Sequence, residues 1–395
     1  MQEIQVRKGR EGAIQRRSPW LFSGSVQREG EGIADGDLVR VVDAAGQVLG
    51  YGDYQSGSIR VRMLHFGDGG LPSDLVPDLL DRAWSLRRQL GLQDDPLTDC
   101  YRLVHAAGDG LPGLIIDRYG PVAVIQCHSI GMHRRIGAIA DSLIDRGGGV
   151  LTTVYDKSNA VLPERYAAVQ QDGPLRGELP GELMVCENGR RFLVDVAGGQ
   201  KTGFFLDQRE NRWLLGSYAK GRRVLNLFSY SGGFSVYGLL GAAAEVHSVD
   251  QSEAAITLCE RNVAANGELT GSHAAFAADA LTFLKEGRDE AGYDIIVVDP
   301  PAYAKNKHRR HKAVQAYKRL NVAALSRLRP GGLLFTFSCS RVVDRQLFYD
   351  TIVAAGLEAG RPLRVLHRPG QGPDHPVSLF HPEGEYLKGL VLRAD

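Results

Sequence analysis

The stretch Asp294-Ile295-Ile296-Val297-Val298-Asp299-Pro300-Pro301 constrains this chain more than any other. β-Branched residues between two carboxylates predict a buried parallel strand covered on both faces. Pro300 and Pro301 cannot donate to a ladder, so the strand stops at Asp299. A carboxylate then stands at the carboxyl edge of a parallel sheet, where open α/β folds bind ligands. A second apolar run, Leu333-Leu334-Phe335-Thr336-Phe337, ends in Ser338-Cys339-Ser340. If the two strands are neighbours, Asp299 and Cys339 face one crevice.

The region around these runs alternates regularly. Arg222 to Phe228 predicts a strand, Ser229-Tyr230-Ser231-Gly232-Gly233 a tight turn, and 234–240 a helix. A strand from Glu245 ends at Asp250, and a helix over 252–265 stops near Asn266-Gly267. Phe276 to Ala280 is the next strand end, with a helix over 280–286. A helix over 312–328 meets the turn Arg329-Pro330-Gly331-Gly332, and 362–367 with 386–393 suit a closing pair of strands. This is the pattern of a doubly wound α/β domain.

Upstream the texture differs. Residues 1–70 hold short strands, glycines and turns, with period-two alternation over Ser58 to Leu64, and predict a small β-barrel or compact sheet. Arg16-Arg17-Ser18-Pro19-Trp20 mixes cations with an aromatic, which suits RNA by phosphate contact and base stacking, or else a tryptophan packed in a small core beside solvated arginines. Over 71–182, helical spacing from Leu75 to Leu90, strand-like runs at 101–104, 122–126 and 151–155, and a helix over 133–146 predict a small α+β domain. Residues 183–212 read as a β-hairpin lead-in around Asn188-Gly189, and Gly198 to Arg209 reads partly as sheet. The doubly wound domain, with this lead-in, then covers 183–395.

The 395 residues allow roughly two to three domains. Lys plus Arg number 47 against 46 acids, so the molecule as a whole has no pull on a polyanion; local patches must supply it. The five cysteines form no CxxC, which argues against a disulfide framework or zinc ribbon and fits a reducing cytoplasm. No apolar run suits a signal peptide or membrane span.

The crevice can be read chemically. An acid ending the second strand, Asp250, suits ribose hydroxyls. The first turn lacks the GxGxxG a dinucleotide pyrophosphate needs, whereas a nucleoside cofactor without phosphates does not need it. S-adenosylmethionine fits, with adenosine toward Asp250 and Asp279 and its amino-acid tail toward the turn holding Gly232. Asp299 beside two prolines suits hydrogen bonding to a base withdrawn from nucleic acid, or a cap on the next segment. Cys100, Cys127, Cys186 and Cys259 suit packing. Cys339 differs by ending a strand at the ligand edge. A thiolate adding to C6 of cytosine makes C5 enamine-like, and a carboxyl at N3 stabilises the adduct. Lys305-Asn306-Lys307-His308-Arg309-Arg310-His311-Lys312 suits a phosphate clamp or a solvated loop.

These residues resemble those of the bacterial 23S rRNA cytosine-C5 methyltransferases with an N-terminal PUA domain, of the class I S-adenosylmethionine (SAM)-dependent group. The resemblance covers nearly the whole chain. It rests on Ser18 to Gly24, Gly108-Asp109-Gly110-Leu111-Pro112-Gly113-Leu114, Lys201 to Arg209, Asn226 to Gly233, Asp299-Pro300-Pro301, Ser338-Cys339-Ser340, Asp374-His375-Pro376 and Pro382 to Gly389. It implies an N-terminal PUA domain, a central α+β domain and a Rossmann-like methyltransferase domain. It implies a SAM pocket of Asp207, Gln208, Asn226, Phe228, Ser229, Gly232, Asp250, Asp279 and Asp299, with Cys339 as nucleophile and Asp299 beside it. RNA contacts are expected at Arg16, Arg17, Trp20, Lys305, Lys307, Arg309 and Arg310. Expected partners are 23S rRNA or a large-subunit assembly intermediate, with a homodimer allowed. Many RNA cytosine-C5 methyltransferases place a second cysteine after the proline; here Pro301 stands there, and the group removing the C5 proton is left open. Two other readings stand beside this one. One is adenine-N6 or guanine-N2 methylation using Asp299 and Tyr303; the other is a non-catalytic RNA-binding or ribosome assembly protein.

Overall fold

The computed structural model describes residues 1–287, 291–304 and 306–395. The chain divides into two compact units. The first holds residues 1–186, 194–204 and 373–384; the second holds 187–193, 205–372 and 385–395.

The first unit contains two sheets. One has six strands in the spatial order Trp20–Phe22, Ile59–Phe66, Val48–Tyr54, Leu38–Val42, Glu3–Val6 and Val26–Glu29. Period-two residues such as Val61 and Met63 join Ile4, Val6, Val39 and Val41 in its core. The other runs Gly173–Arg176, Thr153–Asp156, Val122–Cys127, Leu114–Tyr119 and Cys100–His105, with the helices Leu75–Gln89 and Ile136–Arg146 sharing its core. The helix expected over 133–146 is two pieces, Ile130–Arg134 and Ile136–Arg146. It breaks at Arg135, whose guanidinium forks onto both oxygens of Asp53 at 2.7 Å. The strap 373–384 belongs to this unit: Asp374 accepts the Arg102 N–H at 3.0 Å and the Arg87 guanidinium at its carbonyl at 2.7 Å.

The stretch 198–209 is not sheet. It forms turns that end in the 3-10 helix Leu206–Gln208. Side chains claim its polar groups instead of a ladder: Thr202 donates to Asp117 at 2.6 Å, and the Tyr119 hydroxyl takes the Phe204 N–H at 3.2 Å. The hairpin before it turns at Asn188 and Gly189, both at positive φ, as a two-residue hairpin turn requires.

The second unit is built on seven strands: β1 (Arg223–Leu227), β2 (Glu245–Asp250), β3 (Ser272–Ala277), β4 (Tyr293–Val298), β5 (Leu328–Ser338), β6 (Leu363–His367) and β7 (Lys388–Ala394). Their spatial order is 3-2-1-4-5-7-6. β1 to β5 are parallel, and β7 runs antiparallel between β5 and β6. Alternate residues feed two cores. Leu225, Ile296 and Leu334 pack with the helices α4 (Ala280–Glu286), α5 (Arg310–Arg327) and α6 (Arg345–Glu358). Val224, Ile295 and Phe335 pack with α1 (Arg209–Tyr218) and α2 (Gly233–Leu240); α3 (Glu253–Ala264) lies beside β2 and β3. A parallel sheet covered on both faces requires the continuous apolar runs seen in the sequence. The order reverses between β1 and β4, so the crevice at their carboxyl ends is the expected binding place.

Candidate active site at the carboxyl ends of β1, β2, β4 and β5

The turn after β1 is wound tightly. Phe228, Tyr230 and Gly232 have φ of 58°, 44° and 78°. Non-glycine residues rarely enter this region, and such strain collects at functional sites. Backbone bonds hold it: Ser229 N–H donates to the Val249 carbonyl at 3.0 Å, and Gly232 N–H to the Ser229 carbonyl at 2.8 Å. Asp250, at the end of β2, accepts the Tyr230 N–H at 2.9 Å and the Ser252 N–H at 3.0 Å. The acid expected at a ribose therefore also ties the turn to β2, and each oxygen keeps acceptor capacity for a further donor. Gly232 has a packing reason. A Cβ there would lie 2.5 Å from the Cys259 sulfur, so the glycine lets α3 close against the turn. Gly233 likewise faces Arg212, whose guanidinium forks onto Glu187 at 2.8 and 2.6 Å in a buried pair.

Asp279 is exposed and caps α4, accepting the Thr282 N–H at 2.9 Å. Asp207 and Gln208, both buried, sit in the turn ahead of α1. Asp207 accepts the Tyr386 hydroxyl at 2.6 Å. Gln208 donates to Asp299 at 2.9 Å while its own carbonyl accepts the Asn211 amide at 2.5 Å. Gln208 thus fixes one oxygen of the carboxylate that ends β4.

Asp299 and Cys339 stand on adjacent parallel strands. Val298 pairs with Thr336, so the two residues follow neighbouring strand ends. Ser340 donates to the Ala304 carbonyl at 3.1 Å, tying the chain after Cys339 to the loop after Pro301. Tyr317 of α5 reaches the end of β5, where its hydroxyl accepts from Ser338 at 3.0 Å. Burial, together with the Cys339 sulfur and the Asp299 carboxylate, pushes this phenol well above its usual range, so it stays neutral. Tyr303 meets Tyr317 edge-on at 5.0 Å; burial and then Asp279 push it up to about 12. Cys339 is half-buried, whereas Cys100, Cys127 and Cys259 are buried. Burial pushes the Cys259 thiol up to about 11 and Cys127 higher, consistent with packing. Cys186 is also half-buried; its backbone N–H donates to Asp99 at 2.7 Å, in the first unit.

Sequence reasoning missed Tyr317, Asn211, Tyr386 and Lys388. Lys388 opens β7 opposite Ser338, and its ammonium donates to the carbonyls of Ser340 and Tyr386 at 2.8 Å each. The motif Pro382 to Gly389 was visible, but only the antiparallel pairing with β5 brings it here.

The candidate RNA residues are shared between the two units. In the first, Arg16 and Arg17 are exposed, and half-buried Trp20 meets His381 at 4.2 Å and Phe22 at 6.1 Å between ring centroids. In the second, Arg309 and Arg310 are exposed where α5 begins, Lys307 lies in the preceding 3-10 turn, and Lys305 falls outside the described residues.

A family model of S-adenosylmethionine-dependent methyltransferases matches residues 150–376, more than half of the chain. The chain belongs to that family. A PUA-like domain model matches residues 4–66 of this methyltransferase. "Ribosomal RNA large subunit methyltransferase I" of Klebsiella pneumoniae subsp. pneumoniae is 39% identical over 391 residues, covering 98% of this chain and 96% of that protein. The protein of the same name from Shewanella denitrificans is 38% identical over 396 residues, covering 99% and 98%. A crystal structure assigned as a methyltransferase and complexed with SAH matches with a TM-score of 0.84 at 24% identity, each chain covered in full, which shows the shared fold.

The cofactor of this methyltransferase is SAM, and the turn after β1 fits it. Asn226 Oδ1, near the end of β1, and Ser229 Oγ, in the turn, are buried with no hydrogen-bond partner among the described residues. Buried polar groups are ordinarily satisfied, and a nucleoside with an amino-acid tail brings donors and acceptors to both. Among the described residues, no helix is long and apolar enough to cross a membrane.

Proposed function

We propose that this methyltransferase modifies C5 of a cytosine in large-subunit ribosomal RNA through a covalent bond from Cys339 to C6. The observation that carries the reading is the pairing of Cys339 and Asp299 on adjacent strand ends, tied together by the Ser340 to Ala304 bond. The names of the Klebsiella and Shewanella relatives supply the RNA class. The work is then cytoplasmic, on 23S rRNA or an assembling subunit.

Asn226, Phe228, Ser229, Gly232, Asp250 and Asp279 bind the cofactor, with Asp250 toward the ribose, and Asp207 and Gln208 close the pocket. Gln208 orients Asp299, which meets the N3 edge of the flipped base. Cys339 adds as thiolate to C6, forming the S–C6 bond and moving the ring π electrons toward C5. When bound, SAM supplies the electrophilic methyl that this carbon accepts. Loss of the C5 proton then restores the ring double bond as the S–C6 bond breaks, returning the electron pair to Cys339. Arg16, Arg17 and Trp20 contact RNA through phosphate attraction and stacking, and Arg309 and Arg310, exposed where α5 begins, offer phosphates a second set of cations.

The test is trapping. RNA carrying 5-fluorocytosine cannot lose a C5 proton, so the adduct persists and migrates as a protein–RNA species in denaturing gels. Cys339→Ala should abolish it. Methylation of an exocyclic amine through Asp299 needs no thiol, so a fully active Cys339→Ala enzyme decides for that chemistry.

A further inference from the structure

The strand end that carries Cys339 has a cationic neighbour that the reaction above does not use. Lys388 is 4% exposed. Its side chain enters from β7, opposite the last residue of β5, and spends two N–H donors on the carbonyls of Ser340 and Tyr386, both at 2.8 Å. These acceptors are neutral, and among the described residues no carboxylate forms an ion pair with the ammonium. A buried cation without a paired anion is costly. The Ser340 carbonyl belongs to the residue after Cys339, so this bond anchors Lys388 to the segment that carries the thiol.

We propose that Lys388 is a positioning residue that holds Cys339 as the thiolate, its ammonium serving as the counter-ion of the sulfur. The thiol proton passes to solvent and the electron pair stays on sulfur, ready to attack carbon. The surrounding charges agree. Burial pulls the Lys388 ammonium below its usual range, and Cys339 is foremost among the groups that hold it up. Arg345 opposes its charge, while Glu385 and Asp344 favour it more weakly than the sulfur does; Tyr317, from α5, stays neutral. An adjacent cation is a recognised way to lower a thiol pKa and activate the nucleophile. The inference rests on the reading of Cys339 as the nucleophile.

The experiment is a pH profile of Cys339 alkylation by iodoacetamide on the full-length protein, without RNA or cofactor. Peptide mass spectrometry separates Cys339 from the other cysteines. In the unaltered protein the midpoint should lie at least about one unit below the roughly 8.5 of a free cysteine. Lys388→Gln keeps donors for both carbonyls but removes the charge, and should return the midpoint toward that value, slowing alkylation at pH 7 about tenfold. Lys388→Arg keeps the charge and should hold the midpoint low. Equal midpoints in the Gln variant and the unaltered protein overturn the proposal. Should the Gln variant not fold, an ordinary midpoint in the unaltered protein overturns it equally. The 5-fluorocytosine trap reads the nucleophile separately: a lost trap with a shifted profile sinks the Cys339 assignment alone, and an intact trap with an unshifted profile sinks the role of Lys388 alone.

Discussion

Replacing Asp250 with alanine separates two duties of one carboxylate. Its oxygens accept the Tyr230 N–H at 2.9 Å and the Ser252 N–H at 3.0 Å. Hydrogen bonds to a charged acceptor contribute roughly 1.5–3 kcal/mol each. Both bonds sit at a partly solvated edge, where water replaces much of the loss, so the pair stabilises the unit by about 2 kcal/mol. Tyr230, at φ 44°, also loses the anchor of its unusual backbone. For a unit of roughly 150–250 residues, each kcal/mol moves Tm by about 2–4 °C, so the second unit should melt roughly 4–8 °C lower. If the carboxylate also takes a ribose hydroxyl, SAM affinity measured by calorimetry below the melting range should fall about tenfold or more. Asp250→Asn keeps one acceptor and should fall between the two. Lower melting with unchanged affinity would leave Asp250 as a tie for the turn and remove it from the cofactor site. Melting within about 1 °C of the parent would refute the energetic argument itself.

Three further outcomes follow from the geometry. His105 is held neutral down to about 2 by burial and by the charges of Arg102 and His375. Its folded value lies below the unfolded one, so its contribution is present above about 6.5 and is lost as pH falls toward 2, by about 1.4 kcal/mol per unit. Denaturant melts of the first unit should therefore weaken by about 2 kcal/mol between pH 6.5 and 5 from this residue. His105→Asn should flatten that slope by about one proton, and an unchanged slope contradicts it. Gly232→Ala places a Cβ in a left-handed residue 2.5 Å from the Cys259 sulfur, and should cost about 3 kcal/mol from strain and overpacking together. Adding Cys259→Ala should recover part of that loss; no recovery would place the whole cost in the backbone. Charge reversal of Arg309 and Arg310 should weaken RNA binding and flatten its salt dependence by roughly one unit per lost phosphate contact, with SAM affinity unmoved. Equal salt slopes would make the pair merely solvated.

The sheet of the second unit was legible because its strands are uninterrupted apolar runs closed by distinctive breakers. The placement of Asp299 and Cys339 at neighbouring strand ends was legible for the same reason, since each follows such a run. The helix Arg209–Tyr218 was not: its buried face carries Arg209, Asn211 and Arg212 beside Leu215, so apolar periodicity is silent. The signal would have been the pairing of Arg212 with Glu187, which only the fold supplies. Leu114–Tyr119 was missed for a similar reason. Asp117 and Arg118 interrupt it, yet both are buried, with Arg102 forked onto Asp117 and Arg118 donating to the Tyr101 hydroxyl. Lys388 could not be placed from sequence, because an antiparallel register with Ser338 decides its neighbours. Gly232 was expected to admit a ligand, and the structure adds a neighbour, Cys259, that alone requires a glycine.

The strap 373–384 has a consequence for how the protein comes into being. A ribosome releases the chain from its amino end, and the amino-terminal unit lacks Asp374 until residues 205–372 of the other unit have also been made. Until then the Arg102 N–H and the Arg87 guanidinium wait without that partner. Completion of the first-begun unit is thus tied to a segment made after residue 372, and no single cut between 205 and 372 can liberate either unit whole.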